Sequence, residues 1–210
     1  MTRMALNVTD LGLIGYREAL ELQERLVQRV CEGGRETLLL LEHEPVYTIG
    51  SGGSSANVLD PAISAERVNR GGDVTYHGPG QLVGYPLLDL SRRGRDLHRY
   101  LRFLESFLVE VAADCAVAGF SVPGKTGVWT ERGKLASIGV GVRRWVTMHG
   151  FALNVSLDAA PFRRINPCGI ASCPMTSLAA EGGAEVSLPA IKELVRTKFE
   201  LSLDAFFAAA

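Results

Sequence analysis

The sequence predicts a domain of the α/β or α+β class, built as a sandwich of helices and strands. Three long segments carry apolar residues at helical spacing, whereas most of the intervening segments contain short apolar runs typical of strands. These strand-like segments follow one another in meanders and do not alternate one by one with helices. That order argues against a regular βαβ array.

Length and composition fit one globular domain over residues 1–210. Of the 210 residues, 47% are hydrophobic and 21% are charged, so a substantial core can form. The formal net charge is −1, so the chain has no excess of positive charge that would attract nucleic acid. No apolar run reaches the ~18 residues that would cross a bilayer, and the N-terminus lacks a signal-peptide pattern. We therefore expect a cytoplasmic protein that binds neither nucleic acid nor a membrane.

The first part of the chain predicts one helix and three strands. An apolar stripe over residues 16–30 predicts the helix, and the glycine pair at residues 33–34 ends it. Short apolar runs predict strands at residues 37–41, 46–49 and 81–90. The glycine- and serine-rich residues 50–60 indicate a flexible loop.

The second part predicts the longest helix, over residues 95–119, where leucines recur every three or four positions. Asp96 is the candidate cap at its start, and Gly119 is the candidate end. Strand-like segments follow at residues 126–130, 134–142 and 145–154. We expect residues 143–144 to turn the hairpin between the last two strands. A closing helix is predicted over residues 187–201.

A glycine-rich segment at residues 70–85, RGGDVTYHGPGQLVGY, carries a dense set of polar side chains. Its glycines let the main chain approach a ligand closely and expose amide groups. Hydrogen-bonding side chains accompany them at Arg70, Thr75, Tyr76, His77 and Gln81. The glycine patterns of dinucleotide and phosphate loops are absent. On composition alone, a surface turn between strands remains the alternative.

Lys134 stands at the start of an otherwise apolar, small-residue strand. Burial disfavours the charged form of an amine, so a lysine in this setting can exchange protons near neutral pH. The alternative is a strand-end lysine whose ammonium reaches water. The local sequence does not decide between these two interpretations.

Cys168 lies between a proline and a glycine, which predict a tight turn and an exposed sulfur. A thiolate is a strong nucleophile, and a nearby cation increases the thiolate fraction at neutral pH. Cys173 also precedes a proline and is a rival nucleophile that local chemistry does not separate from Cys168. Cys31 and Cys115 lie on apolar helix faces, where we expect buried, unreactive thiols. The cysteine spacing provides no zinc site, and we expect no metal.

These segments together resemble the lipoate-protein ligase B family, the octanoyl-[acyl carrier protein]:protein octanoyltransferases. The family motifs have the forms R-G-G-x-x-T-x-H-x-x-G-Q, K before S-[IL]-G, H-G-x-A-L-N and N-P-C-G. They are matched, in the expected order, within residues 70–85, 134–139, 149–154 and 166–170. The last match selects Cys168 over Cys173.

The resemblance implies a mixed sheet flanked by helices, as in the catalytic domains of biotin and lipoate protein ligases. It also implies a two-step reaction in which octanoyl arrives on the phosphopantetheine of acyl carrier protein. The acyl group forms a thioester with the enzyme and then passes to the ε-amine of a lysine. The implied acceptors are lipoyl domains of 2-oxoacid dehydrogenase complexes and the glycine cleavage H protein. No cofactor bound by the enzyme itself is expected.

The resemblance assigns roles to individual residues. Cys168 is the acyl-thioester nucleophile, and Lys134 is the cation that favours its thiolate and acts as acid or base. The implied substrate-binding residues are Arg70, Gly71, Gly72, Asp73, Val74, Thr75, Tyr76, His77, Ser137, Ile138, Gly139, Gly150, Phe151 and Ala152. His77 is either a proton shuttle or a brace for the glycine-rich segment.

Three other functions remain as alternatives. An ATP-dependent lipoate or biotin ligase on the same fold would activate a free acid and would need no nucleophilic cysteine. A cysteine hydrolase would use Cys168 with His77 or His149. A catalytically silent protein would only bind acyl carrier protein.

The arginines form two clusters, one at residues 92–99 and one at residues 143–144 together with 163–164. Each cluster is either a docking face for an acidic carrier protein or surface charge that is simply solvated.

Overall fold

A computed structural model describes residues 5–182 and 186–208. Within these residues the first elements are β1 (Asn7–Ile14), α1 (Tyr16–Cys31), β2 (Thr37–His43), β3 (Val46–Ile49), β4 (Glu66–Arg67), β5 (Val74–His77) and β6 (Gln81–Leu87). The later elements are α2 (Leu97–Asp114), β7 (Phe120–Val122), β8 (Lys125–Thr130), β9 (Gly133–Arg143), β10 (Val146–Asn154), α3 (Leu178–Gly182) and α4 (Leu188–Ala208).

The described strands form a large and a small sheet. The large sheet has seven strands in the order β1-β2-β6-β10-β9-β8-β7. Its β1–β2 pair is parallel, and its other neighbouring strands are antiparallel. In the small sheet, of order β4-β3-β5, β3 runs parallel to β4 and antiparallel to β5. The predicted mixed sheet is therefore confirmed.

The side chains of β2 point alternately into two cores on opposite faces of the large sheet. Leu38 and Leu40 pack in the core that contains residues of α2 and α4. Leu39 and Leu41 pack in the core that contains residues of α1. Because successive strand side chains face opposite ways, a strand covered on both faces must be apolar throughout. The unbroken leucine run is thus explained by helices on both sides of the sheet.

The two ends of helix α2 test its predicted boundaries. The Asp96 side chain accepts a hydrogen bond from the Arg99 N–H at 2.9 Å, so the predicted cap of α2 is confirmed. The predicted end at Gly119 is wrong because Ala116 already adopts a left-handed conformation, at φ 58°. The Val117 N–H then bonds back to the Ala112 carbonyl at 2.9 Å, which closes the helix at Asp114.

Two further boundaries differ from the prediction. Arg143 still pairs with Val146, so the hairpin turns at Arg144 and Trp145, whose φ angles are 51° and 67°. Helix α4 continues to Ala208, past residue 201, because its last turns still bury apolar side chains such as Leu203. Within residues 5–182 and 186–208, no helix is both long enough and apolar enough to cross a membrane.

Candidate active site

A cleft is lined by both sheets, the start of α1 and two loops. Its lining residues are Tyr16, Arg70, Gly72, Asp73, Thr75, His77, Val83, Tyr85, Ser137, Ile138, Gly139, His149, Gly150, Phe151, Ala152 and Cys168. Aliphatic and aromatic side chains form much of the wall, and small residues leave the space between them. All of the predicted substrate-binding residues line this cleft except Gly71, Val74 and Tyr76.

Strand β5 explains why two of these three residues lie elsewhere. Thr75 and His77 face the cleft, whereas Val74 and Tyr76 alternate with them and face a separate core with Phe162. Gly71 connects the glycine-rich loop to the large sheet, since its N–H bonds to the Val140 carbonyl at 2.9 Å. The structure therefore places Arg70, Gly72, Asp73, Thr75 and His77 on the cleft wall, and Gly71, Val74 and Tyr76 behind it.

Arg70 places a buried cation on the cleft wall. Its Nη2 donates to the Thr48 carbonyl at 3.0 Å and to Thr48 Oγ1 at 2.8 Å, while Nη1 donates to the Gly71 carbonyl at 3.0 Å. Burial lowers the pKa of Arg70 from its ordinary value. A guanidinium stays protonated at neutral pH despite such a shift, so Arg70 supplies positive charge beside the cleft.

Four buried polar atoms on the cleft wall have no hydrogen-bond partner among the described residues. They are Tyr16 Oη, Arg70 Nε, Thr75 Oγ1 and His149 Nδ1. Buried polar groups are nearly always paired, and each unpaired group needs an explanation. Polar atoms that converge on an apolar cleft are the usual means of orienting a ligand. The cleft is therefore equipped to hold an apolar chain that carries a polar group.

Three buried histidines surround the cleft in their neutral form. His77 Nδ1 donates to Gln81 Oε1 at 2.7 Å, and burial lowers the His77 pKa well below its ordinary value. His43 Nδ1 donates to the Ile14 carbonyl at 3.1 Å, and His43 Nε2 accepts from the Tyr85 hydroxyl at 2.7 Å. Burial lowers the pKa of His43 and of His149 to about 4. The His77–Gln81 bond supports the bracing interpretation of His77.

The side chain of Lys134 contacts the sulfur of Cys168. Lys134 Nζ lies 3.0 Å from Cys168 Sγ and donates to the Thr126 carbonyl at 3.0 Å. The Trp129 ring covers the same ammonium at 5.2 Å from its centroid. Lys134 is only 1% exposed, so the predicted desolvation is present and the snorkelling alternative is excluded. Among the described residues no carboxylate forms an ion pair with it.

Main-chain hydrogen bonds bring Lys134 and Cys168 together, although 34 positions separate them. The Lys134 N–H donates to the Pro174 carbonyl at 2.8 Å, and the Lys134 carbonyl accepts from the Thr176 N–H at 3.1 Å. These bonds fasten the segment that follows the Cys168 turn to the start of β9. This main-chain pairing therefore places the Cys168 thiol next to the Lys134 amine, although the two residues are distant in the sequence.

The Cys168 turn is strained and tied to the glycine-rich loop. Cys168 adopts a left-handed conformation at φ 57°, which is uncommon for a residue with a side chain. The Asn166 N–H donates to the Asn57 carbonyl at 2.7 Å, and Asn57 Nδ2 donates to Asp73 Oδ2 at 2.7 Å. The predicted tight turn is confirmed, and it places a half-buried sulfur on the cleft wall.

The other cysteines differ from Cys168 in their surroundings. Cys173 is buried, does not line the cleft, and has a pKa raised mainly by burial. Cys31 and Cys115 are half-buried, so the expectation that both are buried is wrong. Both lie at helix ends, where solvent reaches the last turn: Cys31 ends α1 and Cys115 caps α2. Cys168 is thus the thiol that both lines the cleft and contacts the lysine.

Some residues of the site are not predicted by the sequence. Tyr16 is recognisable there only as part of the apolar stripe of α1, yet it lines the cleft. Trp129 lies five positions before Lys134 on the paired strand, and that pairing becomes visible only from the register of β8 with β9. Strand-pairing register is the signal that would have identified Trp129 as a neighbour of the lysine.

Comparison with known families identifies the class of protein. The sequence profile described as "Lipoyl protein ligase A/B catalytic domain" matches residues 15–200, and the chain belongs to this family. An octanoyltransferase of Geotalea uraniireducens (strain Rf4) is 66% identical over 202 residues, covering 96% of this chain and 94% of the relative. An octanoyltransferase of Geobacter sp. (strain M21) is 69% identical over 191 residues, covering 91% and 94%. The predicted membership of the octanoyltransferases, which are acyltransferases, is confirmed.

A solved structure supports the fold. The lipoate protein ligase of Thermoplasma acidophilum, described as bipartite and studied with its E2 lipoyl domain, superposes with a TM-score of 0.75. The match covers 96% of this chain and 84% of the other chain at 16% sequence identity. At this identity the likeness defines the shared fold, and the predicted lipoate-ligase architecture is confirmed.

Proposed function

We propose that this chain transfers octanoyl from acyl carrier protein to the ε-amine of a lysine on a lipoyl domain, through a thioester on Cys168. The observation that carries the proposal is the 3.0 Å contact between Lys134 Nζ and a Cys168 sulfur that lines an apolar cleft. The octanoyltransferase relatives support the acyl group. The E2 lipoyl domain studied with the Thermoplasma ligase supports the class of acceptor.

The surroundings of Lys134 favour a thiolate as its partner. A buried ammonium is costly unless an anion accompanies it. The described contacts of Nζ are a carbonyl, an aromatic ring and the Cys168 sulfur, and the sulfur alone among these can become an anion. A cation next to a thiol favours the nucleophilic form of that thiol. Lys134 and Cys168 are therefore suited to act as a pair.

In the first step, the Cys168 thiolate attacks the carbonyl carbon of the octanoyl thioester. A new carbon–sulfur bond forms at Cys168, the bond to the pantetheine sulfur breaks, and Lys134 delivers a proton to the departing thiolate. Because one thioester replaces another, this exchange is close to neutral in free energy. The donor brings phosphopantetheine with it, so the enzyme needs no cofactor of its own for this step.

In the second step, the acceptor amine attacks the carbonyl of the Cys168 thioester. A carbon–nitrogen bond forms, the carbon–sulfur bond breaks, and the amine proton passes to the neutral Lys134 amine left by the first step. The Cys168 thiolate and the Lys134 ammonium are thereby restored. Conversion of a thioester to an amide is downhill, and this step gives the reaction its direction.

The cleft provides a place for the acyl chain during both steps. Val83, Ile138 and Phe151 supply apolar walls, and Gly139 and Gly150 leave room between them. Burial of each methylene contributes ~0.8 kcal/mol, so an apolar tail is retained while its carbonyl stays at the sulfur. The unpartnered Arg70 Nε is a suitable donor for the carbonyl oxygen as negative charge develops there.

Intact-protein mass spectrometry after mixing with octanoyl-acyl carrier protein tests this proposal. We expect one octanoyl group on the wild-type chain and on Cys173→Ser, removable by hydroxylamine, and none on Cys168→Ser. Addition of an acceptor lipoyl domain should discharge the adduct onto a lysine. Adduct on Cys168→Ser but not on Cys173→Ser would assign the reaction to the other thiol. Pyrophosphate release from ATP and free octanoate, retained in Cys168→Ser, would instead support the ligase alternative.

A further inference from the structure

A buried carboxylate on α2 is connected to Lys134 through a single peptide group. Glu105 lies on α2, is 2% exposed, and accepts a hydrogen bond from the Gly127 N–H at 3.1 Å. That N–H belongs to the same peptide group as the Thr126 carbonyl, which accepts from Lys134 Nζ at 3.0 Å. One peptide group thus connects the Glu105 carboxylate to the Lys134 ammonium.

We infer that Glu105 is a positioning residue for octanoyl transfer, which fixes the Thr126–Gly127 peptide so that its carbonyl holds Lys134 at the Cys168 sulfur. The carboxylate at the N–H end and the ammonium at the carbonyl end both favour the same orientation of the peptide dipole. This inference rests on the role proposed above for Lys134. It adds a residue that touches neither the substrate nor the reacting atoms.

The backbone at Gly127 has an unusual conformation that allows the Thr126–Gly127 peptide to contact both Glu105 and Lys134. Gly127 adopts φ 124°, which side-chain-bearing residues rarely adopt. A Cβ atom at this position would lie 2.5 Å from the Ala136 carbonyl oxygen and 2.7 Å from Lys134 Cε. The register between β8 and β9 also shifts immediately afterwards, between Val128 and Trp129. The regular ladder is interrupted where the peptide turns its N–H toward α2 and its carbonyl toward Lys134.

Arg102 balances the charge of Glu105 and leaves the hydrogen bond from the Gly127 N–H intact. Arg102, whose side chain is 50% exposed, pairs with Oε2 of Glu105, and Oε1 remains for the Gly127 N–H. A carboxylate among the apolar neighbours of α2 costs free energy that an apolar residue would avoid. The hydrogen bond to the peptide that holds Lys134 gives a functional reason for retaining it.

Two substitutions distinguish the effect of the length of the Glu105 side chain from the effect of its charge. Glu105→Gln keeps an oxygen at the same distance but removes the charge, whereas Glu105→Asp keeps the charge but is one methylene too short. We expect Glu105→Asp to lower kcat for octanoyl transfer about tenfold, with KM for the carrier-bound substrate unchanged. We expect Glu105→Gln to remain within about threefold of wild type. Glu110→Gln, at an exposed position on α2, serves as the control.

A double-mutant cycle distinguishes positioning from a structural role. In a Lys134→Met background, Glu105→Asp should cause no further loss of kcat, because the group that it positions is already gone. An additive loss, or a wild-type kcat in Glu105→Asp, would overturn the inference. So would a Glu105→Asp effect confined to the melting temperature. If Lys134→Met retains the full kcat for octanoyl transfer, the role proposed for Lys134 fails, whatever the Glu105 variants show. If the wild-type chain transfers no octanoyl, it is the proposed function that fails.

Discussion

Lys134 and Met175 pair across an isolated parallel bridge next to the large sheet. The hydrogen bonds that accompany this bridge, to the Pro174 carbonyl and from the Thr176 N–H, use main-chain atoms of Lys134. The position of the segment after Cys168 therefore does not depend on the lysine side chain. Removal of the amine should leave the turn in place, which allows its chemical contribution to be measured separately.

Lys134→Met should reduce kcat for octanoyl transfer by at least about 100-fold, the usual effect of losing a positioned acid or base. The rate of Cys168 alkylation by iodoacetamide at pH 7 should fall as well, because the sulfur loses its adjacent cation. Lys125→Met is the matched control, since the Lys125 ammonium lies 5.6 Å from the same Trp129 ring. Equal losses in both variants would contradict a specific role for Lys134.

The Cys168 turn should depend on Asn57. Asn57→Ala removes the 2.7 Å bond that Asn57 donates to Asp73, which connects the turn to the glycine-rich loop, and the 3.4 Å bond that Asn57 Oδ1 accepts from Asn166 Nδ2. We expect kcat to fall about tenfold while the unfolding free energy falls by about 1–3 kcal/mol, the ordinary value of two hydrogen bonds. Kinetics together with urea denaturation will check this, with the exposed Asn7→Ala as the control. An unchanged kcat would mean that the turn holds its conformation without Asn57.

The buried histidines should make stability fall in mild acid. Burial lowers the His43 pKa to about 4, whereas an unfolded histidine titrates near pH 6.5. As the pH falls from about 6.5 toward 4, the unfolded chain binds a proton that the folded chain excludes, so the unfolding free energy decreases. His43 alone contributes on the order of 3 kcal/mol to this decrease.

Urea denaturation between pH 7 and pH 4.5 measures this effect. His43→Gln should show a shallower loss of stability than wild type, since one excluded proton is removed. His98→Gln should follow the wild-type curve, because His98 is exposed on α2. Identical curves for all three chains would show that His43 does not contribute to the loss of stability in acid.

Gly84 should be intolerant of even one added carbon. It lies opposite Phe151 in the β6–β10 pairing, and a Cβ atom would lie 2.2 Å from the Phe151 ring. Gly84→Ala should lower the unfolding free energy by about 1–3 kcal/mol and alter KM for the octanoyl donor, because that ring lines the cleft. In the control Gly52→Ala, the nearest contact would be an ordinary 3.7 Å. Equal stabilities of the two variants would contradict the packing argument.

Elements with a strong apolar pattern were predictable from the sequence, and elements defined by pairing were not. Helix α1 has an apolar stripe and strand β2 has a run of leucines, because the side chains of these elements that are buried in the cores must be apolar. Strand β1 was not predicted, since its side chains are half-exposed at the edge of the sheet and show no apolar alternation. Strand β5 was not predicted either, because its four residues lie within a glycine-rich segment that favours a turn.

For the candidate site, motifs identified Cys168, Lys134 and most of the cleft wall. Motifs give chain positions and not directions, so they did not show that Val74 and Tyr76 point away from the cleft. They also gave no indication of Glu105, which reaches the lysine through a peptide group on β8. Contacts of this kind depend on strand register and helix packing, which one sequence does not specify.

The main-chain bonds between β9 and residues 174–176 have a consequence for the newly made polypeptide. Residues 134 and 168 are far apart in the chain, so the ammonium meets the sulfur only when this pairing has formed. On the function proposed above, the thiol therefore becomes reactive only when residues 174–176 have docked on β9. Acyl transfer would then be confined to completely folded molecules.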